Sequence, residues 1–560
     1  MNPIRHKHPR GQISLHRTVE DIPVSRRSRS ITTMIAGICL ACFTCSLLTA
    51  PAGNTPHIKG VIYADYNSEV RETTARVDGI RHVDTPRLIQ KLKAGSITTY
   101  AYLVWHQKTD WDDFRLEFLP AAQVAGLNVW LYLTPPSENN PPEGYVPFGT
   151  NYIQWAEETA KLASNYPALS ALVIDDFNGN LALFTPGYVS NMMSAAHVYC
   201  TNLMFLPVNY DVSHNLTSPT RNISTAFANS YGPYCGGVIF PYLNWANRSS
   251  VENESDQIVH NSDLMRGKHS QFVVQFPSST TSSPGDYAAL SKYISHPNGF
   301  PDVPFPFTFR VYDSYTGTTS NYHKLQVLAG HEIVWESDTA GDAGMQAVTL
   351  NLQSQIRGSR VSLITARVYD VRGVSNYRVT ASWNVPPGDW KIGESGAFTG
   401  TSAYYPANPG LDVPLIVMIY DGGYGSGTNR WTPTLDYVRR ANEIAFESVR
   451  TRHAAGIIQY CLDKTATSQQ FPVVRDLYAQ WVNHPWFDPV MVLGNGGIVL
   501  SGGNGSARQS FTLKSTTALP NAYSNWSIVT NGFFDSAGDF SHKIDGSSGE
   551  TSLFYRLSVP

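Results

Sequence analysis

Two adjacent carboxylates, Asp175 and Asp176, follow directly on four apolar residues in ALVIDDFNGN (171–180), and a short polar turn closes the stretch. Such a run reads as a buried parallel strand delivering acids to a surface, and strand ends of α/β proteins are where ligands sit. An acid pair of this kind also serves as a helix cap or a solvated turn, so the surroundings decide its meaning. What matters is whether other strands bring further polar residues to the same place.

Such strands are legible along the chain. From Ile58 onward, short aliphatic runs alternate with helix-like segments, the pattern of a parallel sheet with crossover helices. The runs fall at 60–67 (GVIYADYN), 98–105 (TTYAYLVW), 128–133, 171–174, 203–209 and 236–242 (GGVIFPY). Pro207 and Pro241 lack the amide a central ladder needs, so those two strands are expected to end or bulge there. Thr85-Pro86, Thr185-Pro186 and Thr432-Pro433 each offer a capping hydroxyl before a proline suited to a first helical turn. Trp155, Thr159, Leu162 and Tyr166 recur at helical spacing and predict a helix packed by one face on the sheet.

From about Gln271 to Asn384 the texture changes to alternating strands without a long helix, predicting an inserted antiparallel β-sandwich of seven to eight strands. The α/β texture then returns with strands at 415–420 (LIVMIY) and 455–460 (AGIIQY). A helix lined by Val438, Ala441, Ile444 and Ala445 lies between them, and a last helix at 471–481 follows. Six strands and two make eight, so the predicted fold is an α/β (β/α)8 TIM-type barrel interrupted by the sandwich, with a small C-terminal β-module. An open doubly wound sheet is the alternative, but Asp65-Tyr66-Asn67-Ser68 is not the Gly-rich loop it calls for. The predicted boundaries are 1–50 for a signal peptide, 57–268 and 396–487 for the two barrel parts, 269–395 for the sandwich and 488–560 for the module.

In a barrel every strand end opens on one mouth. That mouth would collect Asp65 and Tyr66, Trp105 and His106, Tyr132 and Glu138, and the group Asp175, Asp176 and Asn178. The later strands add Asn209, Tyr210 and Asp211, then Tyr242 and Asn244, Asp421, and finally Gln459, Tyr460, Asp463 and Lys464. Aromatic faces suit the apolar faces of sugar rings, and the polar side chains suit sugar hydroxyls. Two carboxylates in different environments can then divide the work of glycoside cleavage.

At this point the chain resembles the secreted (β/α)8 glycoside hydrolases, in architecture over 58–484 and at superfamily level only. The resemblance implies a polysaccharide or oligosaccharide substrate and acids at the ends of strands four and seven, here Asp176, with Asp175 beside it, and Asp421. The Asn-Glu dipeptide usual on strand four is absent, and VIDDFN does not match the chitinase-like alternation of acids. The competing reading is a non-catalytic carbohydrate-binding or cell-surface protein on the same scaffold. A polysaccharide lyase would have to draw its base and cation from His106 and Lys464.

Other classes find little support. A formal net charge of -3 with 15% charged residues gives no field for nucleic acid. No P-loop or Gly-x-Ser-x-Gly elbow occurs, so neither a nucleotide enzyme nor an α/β-hydrolase esterase is expected. His106, His197 and His214 lack ligand spacing, and no metal or cofactor is expected. The inserted sandwich would bind glycan if Tyr315, Tyr322 or Trp335 were exposed, and would be a structural wing if they were buried; the wing is favoured.

The segment at 31–50 (ITTMIAGICLACFTCSLLTA) follows Arg26, Arg27 and Arg29 and reads as the core of a secretory signal. A single membrane anchor is the alternative, since the run approaches a spanning length. Three of the six cysteines lie within it. Of the rest, Cys200 and Cys235 could pair in an oxidising compartment, leaving Cys461 as a small hydrophobe.

Overall fold

The computed structural model describes residues 55–560 apart from 68, 139–145, 211–222, 243–252, 277–283, 314–319, 340–343, 373–378, 397, 399, 423–431, 483, 489, 494–496, 518–524 and 546–553. The signal or anchor expected over 1–50 lies outside the described residues. Among these, no helix is long and apolar enough to cross a membrane.

Eight parallel strands form the barrel: β1 (Ile62–Tyr66), β2 (Thr99–Val104), β3 (Asn128–Leu133), β4 (Leu169–Ile174), β5 (Met204–Pro207), β6 (Val238–Tyr242), β7 (Leu415–Ile419) and β8 (Gly456–Tyr460). Their order is β5-β4-β3-β2-β1-β8-β7-β6. The ring closes between β5 and β6 through a parallel bridge of Val208 with Ile239 and an Asn209 N–H donated to Ile239 O at 2.9 Å. β5 ends at Pro207 as its missing amide requires, whereas Pro241 stays in β6 opposite Met418 of β7.

Both faces of these strands are buried, which is why they read as continuous apolar runs. Ile62, Ala64, Ala101, Leu103, Trp130, Ala171, Val173, Leu206, Ile416, Met418 and Ile458 fill the barrel. The alternate residues, among them Tyr63, Tyr100, Leu131, Leu172, Phe205, Val417 and Ile457, pack under the helices. β8 lies so close to β1 that a Cβ on Gly456 would stand 2.4 Å from Ile62 Cβ and 2.5 Å from Ile62 O. Gly456→Ala is therefore expected to cost about 1–3 kcal/mol, read as a lowered unfolding midpoint. An unchanged midpoint would mean that the two strands separate freely.

The helices begin close to the expected places. Thr185 caps the helix Pro186–His197 by accepting the Tyr188 N–H. The other two caps differ from expectation. Asp84 caps Thr85–Ala94 and Thr434 caps Leu435–Arg450, because Thr85 is already the first helical residue and Leu435–Arg450 starts beyond Thr432. Trp155 and Thr159 are buried on Tyr152–Asn165, where Tyr166 closes the C-terminus.

The insertion follows the helix Asn253–Met265 and consists of two five-stranded antiparallel sheets. One contains Tyr287–Ser295, His323–Ala329, Glu332–Asp338, Val361–Asp370 and Lys391–Ser395. The other contains Ser270–Phe276, Pro306–Asp313, Gly344–Asn351, Val379–Val385 and Thr401–Tyr405. Thr401–Tyr405 pairs with Ser270–Phe276, so the sandwich continues past the expected limit at 395. Trp335 packs inward with its ring 5.2 Å from Phe309, and Tyr322 joins the same core beneath Arg372. Tyr315 lies outside the described residues.

The C-terminal module has two small antiparallel sheets around Leu500, Phe511, Leu513, Phe534 and Phe540. Asn504 fastens it to the barrel layer, accepting the Tyr63 hydroxyl at 3.2 Å and donating to His484 O at 2.9 Å. Cys200 and Cys235, which could have paired, do not: both thiols are free, and Cys235 donates to Tyr231 O at 3.2 Å within its own turn.

Candidate active site

Strand parity sorts the strand-end residues into two sets. On β4 the inward row is Ala171, Val173 and then Asp175, so the first acid of the pair enters the barrel mouth. Asp175 is 3% exposed. Its Oδ1 accepts the Tyr210 hydroxyl at 2.9 Å and the Asp176 N–H at 2.8 Å. Tyr132 reaches the same carboxylate from the end of β3, its hydroxyl beside it without a hydrogen bond of good geometry.

Tyr210 is itself clamped. Asn178 donates through Nδ2 to Tyr210 O at 2.9 Å, and its Oδ1 accepts Tyr210 N–H at 3.0 Å. The turn after β4 also holds the turn after β3. Asn180 Nδ2 donates to Ser137 Oγ at 2.8 Å and to Asp176 O at 2.9 Å, while its Oδ1 accepts Ser137 N–H at 3.3 Å. These bonds fix the 3-10 turn Pro136–Glu138 and bring Glu138 beside the acid pair.

The result is a cavity of about 480 Å³ lined by Tyr66, Asn67, Trp105, Thr134, Ser137, Glu138, Asp175 and Tyr460. Four inward tyrosines form a row across the mouth: Tyr132 to Tyr66 at 4.0 Å, Tyr66 to Tyr460 at 5.3 Å, and Tyr460 to Tyr420 at 4.4 Å between ring centres. Asn67, Asp176 and Cys461, at the ends of β1, β4 and β8, all have left-handed φ, at 60°, 39° and 55°. Non-glycine residues held there gather at functional sites.

The two cavity acids differ in proton affinity. Burial, then the negative charges of Asp175 and Asp176, push Glu138 up to about 8. Burial also raises Asp175, to about 6, and the Asp176 N–H and the Tyr210 hydroxyl hold it lower than Glu138. Of the two, Glu138 holds its proton the more tightly.

Several expected site residues are elsewhere. Asp65 alternates with the inward Ala64 and Tyr66 and is fully buried on the helix side, where its Oδ2 lies 2.5 Å from Lys464 Nζ. Lys464 also donates to Asn67 O and Leu462 O, so neither residue faces the cavity. Gln459 is on the same outer row, donating to Asn442 Oδ1 and to the Tyr478 hydroxyl, both at 2.6 Å.

Asp421 is a correction of the same kind. It is 1% exposed and follows Ile419, a residue of the helix-facing core. Its charged neighbours are Asp65 and Lys464, and burial and then Asp65 hold its carboxyl well above the usual range. It is not at the mouth; the preceding Tyr420 is. Asn209 is buried on the alternate row from Val208. Asp463 is exposed and closes its own turn, accepting the Thr465 N–H at 2.8 Å.

Asp176 sits at the rim, its Oδ2 3.4 Å from Ser137 Oγ. His106 also stands at the rim, its Nδ1 3.1 Å from Glu69 Oε1. Burial opposes the charge on Glu69, and His106 and Arg71 overcome it, holding the carboxyl at about 2. Tyr242 ends β6, but its side chain, Asp211 and Asn244 lie outside the described residues. His82, Asp113 and Glu117 cluster elsewhere with ligand-like spacing. They are already committed, His82 to Asp113 and Asp78, and Glu117 to Arg76.

Neither a family model nor a curated protein sequence matches the chain. Solved structures similar to it include an α-L-arabinofuranosidase from Thermotoga maritima in complex with arabinose, at 8% identity over 90% of this chain and 98% of that one, TM-score 0.34. A family 51 α-L-arabinofuranosidase from Bifidobacterium longum gives 9% identity over 90% and 97%, TM-score 0.34. A family 39 glycoside hydrolase from Bacteroides cellulosilyticus WH2 gives 8% over 87% and 81%, TM-score 0.32. At these values the likeness carries no argument about chemistry. The parallel eight-stranded barrel is read from the chain's own strand pairing.

Proposed function

We propose that the chain is a glycoside hydrolase in which Glu138 is the general acid and Asp175 the partner carboxylate. The observation that carries this reading is the pair itself. Two carboxyls on neighbouring strand ends share one aromatic-walled cavity, one favouring its proton near neutrality and the other its charge. Glu138 gives its proton to the glycosidic oxygen as the bond to the anomeric carbon breaks, and the bonding electrons leave with that oxygen. Asp175, oriented by Tyr210, stabilises the cationic sugar and directs attack on the anomeric carbon, either by its own oxygen or by a water whose proton it takes. Tyr66, Tyr460 and Trp105, which line the cavity, supply faces for a sugar ring.

A screen of plant, algal and microbial glycans for reducing-end release tests the reading. Wild type is expected to cleave at least one, and Asp175→Asn to lose about a thousandfold in kcat while staying folded. Cleavage by Asp175→Asn at the wild-type rate would end the assignment.

The pH dependence follows from the same two groups. Activity should rise through about 6 as Asp175 ionises and fall through about 8 as Glu138 loses its proton. Tyr210→Phe removes a donor that favours charged Asp175, so its acid limb should move to higher pH. Asn178→Ala should act in the same direction through Tyr210, and an acid limb unmoved in both variants would contradict the clamp. We also take the apolar segment at 31–50 as an export signal, to be checked by the N-terminal sequence of the exported protein.

A further inference from the structure

Two polar groups in the cavity wall are buried and unanswered. Thr134 is 3% exposed, and among the described residues its hydroxyl has no hydrogen-bond partner. The indole N–H of Trp105 is buried in the same condition, and both residues line the cavity. Buried polar groups are ordinarily satisfied, so each calls for a partner that enters from the cavity. Trp105 only donates, whereas a threonine hydroxyl both donates and accepts. That pair fits a neutral hydroxyl, which can accept from the indole and bond the threonine in either sense.

Strand register sets these two groups beside the partner carboxylate. Val104 pairs with Leu133 and Leu133 with Ile174, so the next residues, Trp105, Thr134 and Asp175, end β2, β3 and β4 side by side. Each continues the inward row of its strand, two residues beyond Leu103, Tyr132 and Val173. Adjacent strands lie about 4.8 Å apart, so Thr134 stands one strand from Asp175 and Trp105 two. Both positions are held from behind. Asp110 Oδ2 accepts the N–H of Trp105 at 3.1 Å, of His106 at 2.7 Å and of Gln107 at 2.9 Å, and Arg71 holds Asp110 at 2.7 Å. The Thr134 carbonyl accepts the Tyr152 hydroxyl at 2.6 Å. The backbone is thereby fixed, and the two side-chain groups remain for a ligand.

We propose that Thr134 and Trp105 determine specificity by bonding a free hydroxyl on the sugar carbon next to the one that faces Asp175. This rests on the reading of Asp175 as the carboxylate at the anomeric carbon and adds two residues that select the sugar. A sugar without this hydroxyl leaves both groups buried and unpaired, and a site built to bond a hydroxyl discriminates against such an analogue. A trapped water would meet the same two groups, but the two cases part on substitution. If the Thr134 hydroxyl waits for a ligand, the free chain loses no hydrogen bond in Thr134→Val. If it holds a water, the same change costs stability and leaves the choice of sugar alone.

The test joins NMR titration of the full chain at pH 7 to denaturant unfolding, with glucose, galactose and xylose each beside its 2-deoxy counterpart as the probes. At least one parent sugar is expected to bind about tenfold more tightly than its 2-deoxy form, the scale of two hydrogen bonds between neutral groups. In Thr134→Val that gap should shrink to about threefold, with an unfolding midpoint no lower than that of wild type. Trp105→Phe keeps an aromatic face without the N–H, and should narrow the gap in the same way. A midpoint lowered by Thr134→Val, a gap that survives in either variant, equal binding of parent and 2-deoxy sugars, or no binding of any would overturn the proposal. Its failure is separable from that of the hydrolase reading. Cleavage of a glycan by a chain that shows no such gap sinks this proposal alone, whereas a gap narrowed by both variants with no cleavage of any glycan supports it and sinks the hydrolase.

Discussion

Glu138→Gln is expected to lower kcat on a natural glycan by about a thousandfold, the scale of positioned proton transfer. Gln keeps the shape of the side chain in the turn Pro136–Glu138 but has no proton to give. The loss should depend on the leaving group. A nitrophenyl glycoside leaves without protonation, so the variant should recover most of the wild-type rate on it. The fall in activity above about 8 should also disappear, because the group that titrates there is gone. Equal losses on both kinds of substrate would assign Glu138 to binding or structure instead of proton donation.

Lys464→Met should be the most destabilising single change near the site, at about 3–5 kcal/mol in denaturant unfolding at pH 7, because a buried charge is left without its partner. Asp65 is 0% exposed, and its charged neighbours on that side are Lys464 and Asp421. Burial already lifts the Asp65 carboxyl to about 6 against the pull of Lys464, and removing the ammonium lifts it further. A carboxyl whose folded pKa is raised penalises folding above its unfolded pKa, and the penalty fades as pH falls and both states take up the proton. The deficit of Lys464→Met should therefore be smaller at pH 5 than at pH 7. The pair Lys464→Met/Asp65→Leu should regain much of the loss. A single variant as stable as wild type would mean that the ion pair is not under strain from burial.

These two residues also show where the sequence stops being legible. Both faces of a barrel strand are buried, so IYADY and LIVMI carry no alternation from which to read which residue points inward. Asp65 and Asp421 were expected at the mouth, and each is one residue out of phase with a tyrosine that is there, Tyr66 or Tyr420. The same ambiguity fell the other way on β4, where Asp175 and not Asp176 continues the inward row. The pairing of strands four and seven placed an acid where parity puts Tyr420.

The architecture was easier, because alternation of aliphatic runs with helical segments survives any error of one residue. The break into alternating strands also marked the sandwich, but its last two strands, Lys391–Ser395 and Thr401–Tyr405, lie beyond the alternating stretch that ends near Asn384. Glu138 was visible as an acid after two prolines. Its partnership with Asp175 depends on the Asn180 and Ser137 bonds between two turns, which no local pattern announces.

The most direct test of where the chemistry lies compares Asp175→Asn with Asp421→Asn on one cleavable glycan at pH 7, with folding checked by denaturant unfolding. Asp175→Asn should be folded and inactive. Asp421→Asn should keep wild-type activity within about threefold, since Asp421 is buried on the helix side of the barrel wall and is not among the residues that line the cavity. Full activity in Asp175→Asn, or its loss in a folded Asp421→Asn, would contradict the account.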